Sequence, residues 1–150
     1  MLLQLLAVLV LGLMCGSEFN VAAFAHPTLN QQPQTVHARM RSSLASLLGR
    51  VMPFWMVGSV VLTVLLLLPF EHLDKVAWQL TAIALAIQVL VVVFSLIGPV
   101  PINNRIAKWK PESLPDDWRA QERRWDSYHW FRTGGLVVAF AALVLSVGVR

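Results

Sequence analysis

Four apolar runs, each about 20 residues long, govern what this chain can become. They cover residues 2–25, 51–69, 76–98 and 130–149. At 1.5 Å per residue, a helix of about 20 residues crosses the roughly 30 Å hydrocarbon core of a bilayer. Lipid offers no partner to free backbone groups, so spanning segments of this kind are helices. The second and third runs hold no charge, the first only Glu18 and the fourth only Arg132. Charged residues make up 13% of the chain, about half the soluble average of roughly a quarter. The expected fold class is therefore all-α: one membrane domain, 1–150, forming a four-helix transmembrane bundle with its last helix extended into the cytoplasm.

The net charge of +4 does not indicate nucleic acid. The basic residues flank apolar runs, as membrane topology requires, and no groove-reading motif is present. The single cysteine, Cys15, lies within an apolar run and reads as a small packing residue. The first run is also a poor signal peptide: no Lys or Arg precedes it and no small-x-small cleavage site follows. It is expected to stay as a mature helix.

Lys and Arg set the orientation. Ten of them fall in the segments 26–50 and 99–133, whereas Lys75 and Arg150 lie on the other side. Both termini are thus expected outside, and those two segments inside, a bacterial plasma membrane.

The stretch from Pro99 to Thr133 holds most of the charge, four of the six tryptophans and one of the four histidines. Pro99 and Pro101 end the third run. Ser113 followed by Asp116 reads as a capping box, so the last helix is expected from about Leu114 to Val149, longer than the bilayer needs. On it, Trp118, Glu122, Trp125, His129 and Arg132 recur at three- and four-residue steps and share one face. Arg119, Arg123 and Asp126 lie on a neighbouring face, where they can pair. A mixed Trp, His and Arg stripe fits either an interfacial belt with snorkelling arginines or a polar site at the membrane edge.

Glu18 lies deep in the first run, where an unpaired carboxylate costs on the order of 2.5–3.5 kcal/mol. It shares a helix face with Ala22 and His26, and Asn20 adds another expected buried polar group. Arg132 or Arg123 would be a structural partner for Glu18; a general base, proton relay or metal ligand would be functional roles. Glu18, His26 and His129 have ligand types suited to non-haem iron or copper, but their spacing matches no metal motif, and no metal is assigned. His37 and His72 read as loop histidines. Gly12 and Gly16 form a small-xxx-small pair that lets another helix approach closely.

The segment carries Pro101, Asn103, Ile106 and Trp109, then Trp118, Arg123, Trp125, His129, Arg132 and Thr133, and the apolar run that follows contains Ala139 and Phe140. This pattern, P-x-N-x-x-I-x-x-W followed by W-x(4)-R-x-W-x(3)-H-x-x-R-T, resembles the anthrone oxygenase-like family of small four-helix membrane proteins. Gly12, Gly16, Phe19, His26 and Pro27 resemble that family's first helix. The resemblance implies oxidation of a polycyclic anthrone to an anthraquinone by dioxygen, without a bound cofactor. His129 would then serve as base, Arg132 or Arg123 together with Asn103 would stabilise the enolate, and Trp118 and Trp125 would wall a flat substrate. Glu18 or His26 from the first helix is expected to complete the site. The expected partners are membrane lipid and a lipophilic small molecule; a homo-oligomer is left open. Two other readings remain: a non-catalytic membrane protein whose polar cluster holds its helices or binds a partner, and a small proton-coupled carrier using Glu18.

Overall fold

A computed structural model describes residues 2–68 and 73–149. His72 and the ends of the second run and of the chain lie outside them. Among the described residues there are four long apolar helices and one short one. They are α1 (Leu2–Asn30), α2 (Gln34–Leu66), α3 (Lys75–Ile97), α4 (Pro99–Ile106) and α5 (Trp118–Gly148). All four long helices are long and apolar enough to cross a membrane. The chain is an all-α integral membrane protein.

Two boundaries differ from expectation. The first helix does not stop at Ala25. A π-helical stretch, Val21–Ala25, precedes His26-Pro27, and the helix then continues to Asn30. Proline has no N–H, and its ring crowds the carbonyl four residues back, here that of Ala23. The wider turn accommodates this, with the His26 N–H bonded to the Val21 carbonyl. The last helix begins at Trp118 rather than Leu114, because Pro115 interrupts the approach. Ser113 bonds instead through its own N–H to the Lys110 carbonyl.

The helices α2 (33 residues) and α5 (31 residues) are about 50 and 46 Å long, so both overshoot the hydrocarbon core. They overshoot at the same end, where Arg41 of α2 donates to Asp126 of α5. Glycines set the close approaches deeper in the bundle. A Cβ on Gly12 would lie 2.8 Å from the Phe140 ring, so α1 packs on α5 there. Gly16, by contrast, is exposed and faces no neighbour within 4 Å. A Cβ on Gly135 would lie 2.8 Å from Val91 of α3, whereas one on Gly134 would meet nothing within 4 Å. Gly135→Val is therefore expected to force α3 and α5 apart and cost about 1–3 kcal/mol, with Gly134→Val near neutral. Thermal unfolding of the two variants in one detergent checks this; equal melting temperatures would refute it.

Between α2 and α3, Ser59 Oγ donates to Gln88 Oε1, Gln88 Nε2 to Thr63 Oγ1, and Thr63 Oγ1 to the Ser59 carbonyl. All three side chains are buried, and the closed set ties the two helices together without exposing a polar group to lipid. Cys15 packs in the apolar core with Leu11, Met14 and Leu136.

Candidate functional site

Helices α1 and α5 converge on a buried ion pair. Arg132 Nη2 donates to Glu18 Oε2, and the residues are 7% and 3% exposed. His129 completes this group. Its Nε2 is 3.0 Å from the Glu18 carbonyl oxygen, an acceptor only, so Nε2 carries the hydrogen. Its Nδ1 then accepts from Arg132 Nη2 at 3.1 Å and lies 3.2 Å from Glu18 Oε2. Both ring nitrogens of His129 are thus engaged within the group.

A second group sits beside it. Asp126 accepts from Arg41, and His26 Nδ1 lies 3.1 Å from Asp126 Oδ1. Arg41 also reaches toward Glu122 at 3.7 Å, while Arg119 meets Glu122 from the rim at 3.5 Å. His37 Nδ1 is 2.8 Å from the Leu29 carbonyl and must donate to it. Its Nε2 lies 2.6 Å from Glu122 Oε1. Three carboxylates, the buried Glu18 and Glu122 and the half-buried Asp126, thus face two buried guanidiniums, Arg41 and Arg132, with Arg119 at the rim. Buried charge of this density is tolerated only when it is paired.

Trp125 joins the groups. It stacks on His129 (centroids 4.6 Å apart, 14° between planes) and meets His26 edge-on at 4.7 Å. The Arg41 guanidinium lies 5.3 Å from its ring centroid.

A cavity of about 80 Å³ opens beside this cluster, lined by Gly49, Pro53 and Met56 of α2, Asn103 of α4, and Trp125 and Arg132 of α5, among others. Its position follows from the sequence of α2. Pro53 lacks the N–H that would bond the Gly49 carbonyl, and Gly49 has no side chain, so the helix is weakened and bare at one spot. The Asn103 carboxamide crosses there and donates to the Ala45 carbonyl at 2.9 Å. A Cβ on Gly49 would lie 3.0 Å from Asn103 Nδ2. Gly49, Pro53 and Asn104 are exposed, so the cavity opens sideways between α2 and α4. A smaller cavity, about 10 Å³, lies behind Asn103 and is bordered by His26, Arg41 and Trp125. Trp125 Nε1 and Arg132 Nε are buried without a hydrogen-bond partner, and both residues line the larger cavity.

The sequence-derived site residues thus divide. Glu18, His26, Trp125, His129 and Arg132 come together, with Asn103 at the cavity wall. Trp118 stands two turns away, packed on His37 and Trp109. Arg123 is exposed and takes part in none of the ion pairs among the described residues. Arg132, not Arg123, is the partner of Glu18. Asn20 is exposed rather than buried. His37, read as a loop residue, is buried on α2. Arg41 was not a candidate, and Glu122 and Asp126 were placed on their helix faces without a role in the site. Their signal was the i,i+4 pairs His37/Arg41 and Glu122/Asp126, which place each pair on one helix face.

A four-helix integral membrane protein with a dense ion-pair cluster at one end, and a cavity opening sideways beside it, is the class that fold and site define. The sequence matches the anthrone oxygenase family over residues 44–142, about two-thirds of the chain, and the chain belongs to that family. The match leaves out α1, and with it Glu18 and His26. No curated protein and no solved structure matches the chain.

Proposed function

We propose that this protein oxidises a lipophilic aromatic ketone of the anthrone type with dioxygen, without a bound cofactor, at the cavity beside Trp125 and Arg132. The observation that carries this reading is the pair of buried, unpartnered N–H groups, Trp125 Nε1 and Arg132 Nε, on two residues that line one cavity. Buried donors are nearly always paired, and two orphans at one cavity wall call for an acceptor from outside the protein. A ketone oxygen is such an acceptor. It becomes a stronger one when the ring methylene loses a proton and the oxygen gains enolate charge, so these donors favour the reactive form over the resting one. The enolate then supplies the electrons that dioxygen takes up. Overall, one methylene and one dioxygen become one carbonyl and one water.

The flat indole and the apolar wall of Met56 and Pro53 suit a flat, lipid-soluble ligand, which would arrive from the bilayer through the opening at Gly49. The cavity is smaller than the roughly 300 Å³ of typical small-molecule sites. The flexible Met52 and Met56 side chains would have to move aside. The excess of Lys and Arg around the cluster supports a cytoplasmic position for this end.

Oxygen uptake by the purified protein with anthrone tests the reading. One dioxygen consumed per anthraquinone formed, above the rate in protein-free micelles, is the expected result; no excess over that rate would refute it. Gly49→Leu would fill the opening and press on Asn103. We expect it to slow uptake by roughly tenfold or more, as ligand misplacement commonly does. An unchanged rate would exclude this route of access.

A further inference from the structure

We infer that His26, oriented by Asp126, is the base that takes the ring proton; this rests on the oxygenase reading above. A base needs a lone pair that the protein has left free. His129 does not have one: Nε2 donates to the Glu18 carbonyl, and Nδ1 accepts from Arg132. It borders neither cavity.

His26 is placed differently. Its Nδ1 faces the Asp126 carboxylate at 3.1 Å, so the hydrogen sits on Nδ1 and the lone pair on Nε2. A carboxylate holding one imidazole nitrogen so that the other can accept a proton is the arrangement that activates histidine bases elsewhere. The groups facing His26 are Asp126 and His129 of α5 and Arg41 of α2. Arg41 also holds Asp126 in place. His26 borders the small cavity, which shares Leu48, Asn103 and Trp125 with the large one. These three residues line both cavities, and Asn103 is held there by a hydrogen bond to the Ala45 carbonyl. Swinging the carboxamide aside joins the two cavities. A ketone held by Trp125 and Arg132 could then extend its methylene toward His26.

The step balances. His26 Nε2 takes one methylene proton, and the C–H electron pair enters the enolate. Dioxygen accepts electrons from the enolate and forms a C–O bond. The resulting peroxide takes the proton back from His26. Loss of the second methylene proton, with cleavage of the O–O bond, releases water and leaves the new carbonyl.

The test uses the full chain in lipid nanodiscs. His26→Asn keeps an N–H where Nδ1 stands and removes the Nε2 lone pair. His26→Gln is the second variant, in case the first does not fold. Two readouts are taken: oxygen uptake with anthrone, and the absorption of bound 1,8-dihydroxyanthraquinone, whose ionised form is red-shifted. A base within reach of the ligand should ionise the bound dye in the wild type. Either variant should abolish that red shift while the dye still binds, and should slow oxygen uptake by about 10²-fold. Asp126→Asn should weaken both effects by about tenfold. If the wild type consumes no oxygen with anthrone but the dye's ionisation still depends on His26, the reaction class fails and the base assignment stands. If the dye binds and its red shift survives both His26 variants, the assignment is overturned whatever the oxygen data show. If the dye does not bind at all, both are overturned.

Discussion

Replacing Arg132 by methionine is expected to destabilise the protein by about 3–5 kcal/mol, the range for orphaning one member of a buried ion pair. Glu18 is 3% exposed and takes its charge partner from Arg132. Without the guanidinium, its carboxylate stays buried with no countercharge, and His129 Nδ1 loses its donor. The neighbouring cation, Arg41, is engaged with Asp126 and does not replace the lost one. The double variant Glu18→Met/Arg132→Met removes both charges and should recover most of the loss, because burying a pair gains little over burying two apolar groups of similar size. Thermal and denaturant unfolding of the two single variants and the double give the coupling energy directly. A loss below about 1 kcal/mol in Arg132→Met would mean that the pair does not hold α1 against α5.

Such a cluster is only partly legible in a sequence. Four spans follow from run length and charge depletion, because lipid leaves so few ways to bury a backbone. The convergence of α1 and α5 was readable from Glu18, since a carboxylate within an apolar run demands a partner and Arg132 is the cation nearest the start of the last run. The stripe from Glu122 through Trp125 and His129 to Arg132 was readable from helical period alone, and all four are buried.

Arg41 and His37 were misread for a physical reason. Arginines flanking a span satisfy the topology rule whether they are solvated or buried, so their count says nothing about their environment. What decides it is the length of α2, which continues 17 residues ahead of Val51 as an unbroken helix and carries His37 and Arg41 up to α5. The polar composition of that segment reads as a loop. The ion pairs across to Glu122 and Asp126 make it an ordered helix instead, and such pairing between separate helices has no local signal. Arg123 was misread in the opposite direction. It sits one residue beyond Glu122 on α5, which turns it about 100° away to the exposed side. The cavity was illegible as well, although Gly49 and Pro53 mark it, because a proline inside a spanning helix is common and shows its consequence only beside the helix that crosses there.

Trp125→Phe is the substitution that best separates a reactive site from a structural one, and its two effects should run in opposite directions. The indole N–H is buried without a partner, and phenylalanine removes it while keeping an aromatic ring against His26 and His129. For folding alone, losing an unsatisfied buried donor is favourable by about 1–3 kcal/mol, which offsets the packing lost with the smaller ring. The melting temperature should therefore hold steady or rise. For the reaction, the same N–H is one of the two donors proposed to meet the enolate oxygen, and removing one such donor lowers kcat by about 10²–10³-fold. The effect should fall on kcat more than on KM, because the resting ketone draws less on the donor than the enolate does. A stable Trp125→Phe protein that consumes oxygen at the wild-type rate would take the indole out of the chemistry and leave Arg132 Nε as the sole oxyanion donor. A variant that is slow and equally stable would mean that an unpaired N–H persists in this core because a ligand uses it.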